Sequence, residues 1–183
     1  LGRKAKGKKP QVRVSLSAFV PKPHTPFQWV AQESEQQLNS KYELIKQGLR
    51  RRGIRLSWQD PKTSLLEAVL SRGDRRLSRV IYRAWKLGSI FDAWSEHFNY
   101  GNWLHAFEES GLEPGYYAQR QRSLDEVLPW AHISAGVTPT FLKREYLRAL
   151  EGKETPDCRY NACYACGLEQ WQLGCQQKFS QSK

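Results

Sequence analysis

The sequence predicts an α/β unit, followed by a mostly α-helical region and a short Cys-rich tail. Apolar residues alternate strictly from 12 to 20, a helical pattern follows from 34 to 53, and residues 54–58 alternate again. The order strand, helix, strand is typical of an α/β unit. We therefore expect three regions: 1–59 with the α/β unit, 60–152 with a helical extension and 153–183 with the tail.

The first strand carries the clearest local signal. Its apolar side chains, from Val12 to Val20, recur at every second position, which predicts a strand with one apolar face. The strand must end at Pro21, because proline cannot donate to a sheet. The segment Ile54–Trp58 is its one plausible neighbour, so we expect the strand to pair with little else in this chain.

The first helix is predicted by its two ends. Ser34 and Gln37 stand in the positions of a capping box, and an apolar stripe follows them. Gly53 is expected to end the helix, with the three preceding arginines in its last turn, where cations suit the helix dipole.

Residues 60–150 are expected to be almost wholly helical. Asp60 before Pro61 predicts a helix start, and Thr138 before Pro139 predicts another. Apolar residues recur at helical spacing between these points. The expected breaks are Gly73, Gly88, Gly111 and Pro129.

Composition excludes several classes of protein. The 183 residues have a mean hydropathy of −0.70 and no run of roughly 18 apolar residues, so no membrane is expected. A net charge of +11 favours RNA or another anionic substrate as partner. The chain lacks Met, begins at Leu1 and shows no signal segment, from which we expect a cytoplasmic piece of a longer polypeptide.

The four cysteines form a candidate metal site near the end of the chain. Their spacing is C-x4-C-x2-C-x8-C, and a C-x2-C turn can direct two thiolates at one ion. An iron–sulfur cluster, a zinc ion and the absence of any metal, as free thiols or disulfides, all remain open. The candidate ligands are Cys158, Cys163, Cys166 and Cys175.

The loop after the first strand is a second candidate site. Three prolines stiffen it, and ligands in sheets with parallel strands sit beyond the strand ends. Its cationic and imidazole groups could bind an anion or move protons, and its aromatic rings could stack on a flat group. A rigid structural loop is the alternative. The candidate residues are Ser17, Phe19, Pro21, Lys22, His24, Gln28 and Trp29.

Several long motifs, in the right order, resemble one bacterial group of radical SAM enzymes with a cobalamin-binding N-terminal domain. The stretch SLSAFVPKPHTPFQW at 15–29 resembles the last strand and following loop of their partial (β/α) barrel. The resemblance covers roughly residues 7–167. The other matching stretches are LSWQDP at 56–61, LEAVLSRGDRRL at 66–77, FDAWSEHF at 91–98 and TPDCR at 155–159.

The resemblance implies a parent enzyme whose C-x3-C-x2-C motif holds the cluster that cleaves S-adenosylmethionine. That motif does not occur in this sequence. The region would then contribute the last barrel strand and helix, a loop on the substrate or cofactor side, the helical extension and an auxiliary metal site. The remainder of the parent chain would be its partner. Methyl or methylthio transfer and rearrangement remain open, and the region alone is not expected to be active.

One feature departs from the family pattern, and one alternative function stays open. The family has a further Cys soon after the third, whereas here Gly167, Leu168 and Glu169 follow and the next is Cys175. The alternative is a basic nucleic-acid-binding module with a structural zinc knuckle, which should show a continuous basic face. A docking extension without chemistry is a third hypothesis.

Overall fold

The computed structural model describes residues 11–171, which form an α/β structure with two strands and six α-helices. A short 3₁₀ helix closes the described part of the chain. The elements are β1 (Val12–Leu16), α1 (Glu35–Gly48), β2 (Ile54–Trp58), α2 (Pro61–Arg72), α3 (Leu77–Lys86), α4 (Tyr100–Glu109), α5 (Pro114–Ala118), α6 (Pro139–Leu150) and the 3₁₀ helix Leu168–Trp171.

The two strands pair in parallel, as the sequence predicts. Val12 lies opposite Ile54 and Leu16 opposite Trp58, and β1 pairs with no other strand among the described residues. β1 ends at Leu16 and not at Val20 as expected, because its partner ends at Trp58 and the next residue, Gln59, donates its N–H to the Leu16 carbonyl at 3.1 Å.

The start of α1 is confirmed and its predicted end is wrong. Ser34 and Gln37 form the reciprocal capping box. The helix stops at Gly48, five residues before Gly53, so the arginines at 50–52 lie beyond it. The helix ends at Gly48, which has no side chain to pack against the core. Gly53 lies in the turn before β2, where it adopts a positive φ of +92°.

Helices α2 to α5 enclose the larger apolar core. Asp60 caps α2 with Pro61 in its first turn, and Gly73 ends it, as predicted. Helix α5 was not predicted, because five residues are too few for a periodic pattern. Fully buried alanines allow the helices to approach closely: Ala68, Ala84, Ala106 and Ala118.

A buried arginine ties α2 to the segment that follows α5. Arg72 is fully buried, and its guanidinium donates to the carbonyls of Ala118 at 2.7 Å and Arg120 at 3.2 Å. Gln32 is also buried and bonds the Ser64 carbonyl through its side chain, at 3.0 Å. The Arg72 bonds thus satisfy carbonyl groups at the end of α5 and just after it.

The expectation of nearly continuous helix over 60–150 is wrong for two segments. Residues 89–99 and 119–138 form turns and irregular structure. The first is rich in aromatic residues and the second in polar residues, neither shows helical periodicity, and Pro129 interrupts the second. The conformation of these two segments is therefore set by side-chain packing and by capping hydrogen bonds, and not by a helical repeat.

The described residues group into two compact units. One consists of 11–20 with 31–120, and the other of 21–30 with 121–171. The division at 59 and 152 expected from the sequence stays a prediction. No helix in the described part of the chain is long and apolar enough to cross a membrane.

Candidate functional site

The loop Pro21–Val30 belongs to the second unit and is a succession of tight turns. Thr25 donates its hydroxyl to the Lys22 carbonyl at 2.8 Å, and Gln28 donates its N–H to the Thr25 carbonyl at 3.1 Å. Pro21 is fully buried. These bonds hold the loop in one conformation and direct its last residues inward.

His24 occupies an unusual backbone conformation in this loop. Its φ of +56° lies in the left-handed region, which few residues other than glycine adopt. The conformation lets the His24 backbone N–H donate to Gln28 Oε1 at 3.1 Å. A strained backbone at a predicted site is a reason to look for function there.

The loop is anchored by a small aromatic core. Trp29 is 1% exposed, and its ring centroid lies 5.9 Å from that of Tyr146 on α6. The Arg122 backbone N–H donates to the Trp29 carbonyl at 2.9 Å. Leu128, Trp130 and Leu142 complete the buried cluster.

A cavity of about 440 Å³ opens beside this core, within the second unit. Three of the seven predicted loop residues line it, namely His24, Gln28 and Trp29. Most of the remaining wall comes from residues 124–139 and from α6. This volume suits a small organic molecule.

The other four predicted loop residues do not line the cavity. Pro21 is buried and Lys22 is exposed, so one supports the loop and the other faces outward. Ser17 and Phe19 belong to the first unit, where both are exposed. The loop thus combines a structural half and a cavity-lining half.

The charged groups at the cavity are arranged in pairs. Lys143 Nζ lies 3.0 Å from Asp125 Oδ1, and Arg122 Nη1 lies 3.8 Å from Glu126 Oε1. The buried Arg122 guanidinium also stacks 5.2 Å from the Trp130 ring centroid. The two carboxylates of the wall therefore face neighbouring cations that offset their charge.

A buried hydrogen bond joins the side chains of Gln28 in the loop and Trp130. Trp130 donates its Nε1–H to Gln28 Oε1 at 2.7 Å, and Gln28 is 3% exposed. The Nε1–H of Trp29, by contrast, is buried without a hydrogen-bond partner among the described residues. The Gln28 side chain thus links the loop to residues 121–138.

None of the described cysteines forms a disulfide, and Cys163 and Cys166 lie close together in the chain. Cys163 accepts a hydrogen bond on Sγ from the Ala165 N–H at 3.4 Å, and Ala165 has φ +50°. Cys166 is joined to the cavity wall, because its carbonyl accepts from the N–H of Thr138 at 2.8 Å.

A complete metal site is not present within residues 11–171. No group of three or more His, Cys, Asp or Glu side chains in that range is close enough to hold an ion. Cys175 lies outside the described residues. Cys163 and Cys166 lie in one turn around Ala165, and Cys158 does not form a metal-ligand group with them within the described residues.

Basic residues beside the cysteines already have acidic partners. Arg159 bonds Asp157, and this hydrogen bond lowers the pKa of the Asp157 carboxyl. Lys153 Nζ lies 2.6 Å from Glu151 Oε2. Their charges are thus offset locally and do not face an open site.

Sequence reasoning missed the segment that supplies most of the cavity wall. It contains Trp130, His132 and Thr138, and no helical or strand periodicity marks it. The aromatic and histidine residues around Pro129, in an aperiodic stretch of otherwise helical sequence, were the available signal.

Comparisons with known proteins leave the family open. No protein-family model matches the chain, and no solved structure matches it. The chain is similar to a protein of Methanocaldococcus jannaschii, "Uncharacterized protein MJ0966", with 27% identity over 112 residues. The match covers 61% of this chain and spans a quarter of the relative, 25% of its length.

Proposed function

We propose that this chain is the C-terminal part of a cobalamin-dependent radical SAM iron–sulfur enzyme and supplies a wall of its substrate cavity. One observation carries the proposal. The loop that resembles the family's post-strand loop contributes His24, Gln28 and Trp29 to a cavity of substrate size. The cysteine turn is tied to the same cavity wall through Thr138.

The small sheet gives further support. Among the described residues β1 and β2 pair only with each other, so each has a second edge without a ladder partner. Val12 is also 52% exposed. Exposed strand edges favour pairing with further strands, which the remainder of the parent chain would supply.

The residues of this chain would shape the cavity and exclude water from it. When bound in the parent, the iron–sulfur cluster and S-adenosylmethionine would supply radical chemistry, and cobalamin would supply group transfer. Trp29, Leu128 and Trp130 would exclude water from the substrate, which protects reactive species from side reactions. Gln28 would orient a polar group, and the His24 imidazole could hold or release a proton there.

The cysteine turn is proposed as part of an auxiliary metal site, most simply an iron–sulfur cluster. Cys163 and Cys166 would be its core ligands, with Cys158 and Cys175 as further thiolates. The enzyme would work in the cytoplasm on an RNA or another anionic substrate, in keeping with the basic composition.

The test uses the full-length parent protein, purified anaerobically and reconstituted with iron and sulfide. We expect it to cleave S-adenosylmethionine to 5′-deoxyadenosine, and the 183-residue chain alone to form none. Replacing Gln28 by Ala should lower product formation at least tenfold while 5′-deoxyadenosine still forms. The matched control is Gln36→Ala, on the exposed side of α1, which should leave both unchanged.

Two outcomes would contradict this proposal. One is 5′-deoxyadenosine formation by the 183-residue chain, and the other is a parent protein that binds no cluster. The auxiliary site is tested separately, in a parent whose N-terminal cluster motif has been removed. Changing Cys163 and Cys166 to Ala should then abolish the remaining iron and sulfide, and unchanged metal content would exclude the site.

A nucleic-acid-binding module is a second candidate, favoured by the exposed surface of α3. This helix has no acidic residue, and its Tyr82 and Trp85 are about half exposed. Lys86 Nζ lies 4.8 Å from the Trp85 ring centroid. Aromatic rings beside cations are the elements that bind single-stranded nucleic acids. A zinc ion at the cysteine turn would complete such a module.

Single-stranded RNA binding, measured by fluorescence anisotropy, separates the two candidates. If the module hypothesis is right, affinity should fall steeply with salt, and Trp85→Ala should weaken it about tenfold or more. Leu150→Ala, at an exposed apolar site on α6, is the control. Equal loss in both variants, or no binding at low salt, would remove this candidate.

A further inference from the structure

We infer that an open cleft in the first unit binds a phosphate group, held by the guanidinium groups of Arg75 and Arg79. The inference goes beyond the proposed function, because the cleft belongs to the first unit and the proposed substrate cavity to the second. The cleft has a volume of about 500 Å³ and is lined by Arg75, Arg76, Ser78, Arg79, Ser110 and Leu112.

The two walls of the cleft are held in place by the core beneath them. One wall is the first turn of α3, and the other is the segment that ends α4. Leu77 and Val80 of α3 are buried in the same apolar cluster as Phe107 of α4. A ligand would therefore find the backbone of both walls already in position, which lowers the entropic cost of binding.

The first turn of α3 presents side chains to the cleft, since its backbone N–H groups are already bonded. The N–H groups of residues 77–79 donate to the carbonyls of residues 74–76, at 3.0, 3.2 and 3.3 Å respectively. An anion in the cleft would thus be bound by guanidinium groups and not by the end of the helix.

Two of the three arginines in the cleft have no acidic partner. Arg76 Nη2 lies 2.8 Å from Asp74 Oδ2, so this pair is locally neutral. Arg75 and Arg79 are exposed, and within residues 11–171 neither forms an ion pair. The cleft therefore holds two positive charges that the described part of the chain does not offset.

The carboxylates that flank the cleft in sequence do not line it. Glu109, which precedes Ser110, pairs with Arg83, with Oε2 3.2 Å from Nε. Glu113, which follows Leu112, is exposed and lies outside the lining. An anion in the cleft would thus meet cations without a carboxylate among the described lining residues.

The spacing of the two unpaired arginines favours a bridging anion. Arg75 and Arg79 stand four residues apart, a spacing that brings like charges together on one helix face and makes them repel. A guanidinium group donates two parallel N–H bonds to a phosphate, and two such groups match the charge of a phosphate dianion. The Ser110 hydroxyl has no partner among the described residues and can donate a further bond.

The phosphate can belong to a small phosphorylated molecule or to the backbone of an RNA strand. Tyr82 stands three residues after Arg79 on α3 and is 55% exposed. In an RNA strand, a base next to the bound phosphate could stack on this ring. The chemistry of the cleft is the same for both sources, so the experiment separates them.

The first measurement is a titration of the ¹⁵N-labelled 183-residue chain with inorganic phosphate, followed by NMR. Sodium chloride keeps the ionic strength constant, which removes general screening from the result. We expect saturable shifts of the Arg79 and Ser110 backbone amides. Acetate, with one charge and two oxygens, should bind at least fivefold more weakly, because it cannot engage both guanidinium groups and the hydroxyl.

The decisive comparison uses two double variants that lose the same charge. Arg75→Gln with Arg79→Gln removes both unpaired guanidinium groups, so phosphate affinity should fall at least tenfold. Arg50→Gln with Arg52→Gln removes two exposed arginines beyond α1 and should change affinity less than about twofold. Shifts that do not saturate, equal affinity for acetate, or equal weakening in both double variants would each overturn the inference.

A uridine octanucleotide with a 5′-hydroxyl and glycerol 2-phosphate distinguish the two sources. If the phosphate is that of a strand, the RNA should bind at least tenfold more tightly than inorganic phosphate and lose affinity in both Tyr82→Ala and the Arg75, Arg79 double variant. If it is that of a small molecule, glycerol 2-phosphate should displace inorganic phosphate and the RNA should bind no more tightly. Each result supports the phosphate site and names its source.

This experiment fails independently of the proposed function. Phosphate binding needs neither cluster nor cobalamin, so a negative result with an active parent rejects only the phosphate site. A positive result with a cluster-free parent would reject only the radical SAM assignment.

Discussion

The two compact units bury similar kinds of side chain but bring them together in different ways. In the first unit, regular helices pack through small residues such as Ala68, Ala84 and Ala106. In the second, turns bring Trp29 and Trp130 against Tyr146 of helix α6. Small residues on helices permit close approach and a filled core, as in most protein interiors. Large rings carried by turns meet at irregular angles and leave a cavity with polar edges.

The largest loss of stability in the second unit is expected from a change at Trp29, in its aromatic core. Trp29→Ala should lower the free energy of unfolding by about 3–5 kcal/mol, because a large buried ring is lost. Urea denaturation followed by circular dichroism measures the effect. Val127→Ala, at a side chain that is 86% exposed, should change stability by less than about 0.5 kcal/mol. A similar loss in both variants would mean that the aromatic cluster is not a core.

In the helical unit, the largest single polar contribution is expected from Arg72. Arg72→Met should lower the free energy of unfolding by about 3 kcal/mol, because two carbonyls lose a charged donor. Urea denaturation is again the measurement, with the exposed Arg79→Met on α3 as control. An Arg72→Met protein as stable as the control would show that the helices hold the Ala118 segment without it.

The chain just after Cys166 passes close to the cavity-wall residues Gly136 and Thr138, and this close approach depends on Gly167. A Cβ on Gly167 would lie 2.6 Å from the Gly136 carbonyl oxygen, and φ is +107°. We expect Gly167→Ala to cost about 2–3 kcal/mol. Gly152→Ala also has positive φ, +65°, but no neighbour within 4 Å, and should cost about 1 kcal/mol. Equal midpoints of thermal unfolding would contradict the close approach.

The smallest expected effect concerns the strained residue in the loop. His24→Gly should be about 1 kcal/mol more stable than His24→Ala, because only glycine adopts φ +56° without strain. Chemical denaturation of the two variants in parallel measures this difference. If His24→Ala is the more stable, the left-handed conformation is not required by the fold.

Local signals predicted the elements that have distinct ends. Ser34 with Gln37, Asp60 with Pro61, and Thr138 with Pro139 each begin a helix where expected, because capping depends only on nearby residues. Local signals failed where packing sets the outcome. α1 ends before Gly53, and residues 119–138 are not helical.

The candidate site was predicted in part, for a similar reason. The loop was recognisable because its prolines and its place after a strand are local features, and three of its seven residues line the cavity. The opposite wall, with Trp130 and Thr138, is separated from the loop by about a hundred residues. No local pattern could pair them.

The sequence by itself determined the α/β unit, the helix starts and the residues of the loop. These follow from alternation, capping and proline, which act over a few residues. Only the tertiary structure decided that residues 21–30 join 121–171 in one unit, and that Gln28 and Trp29 line a cavity together with the segment around Trp130. Burial and hydrogen-bond pairing between distant segments depend on how the whole unit packs, which a local pattern does not encode.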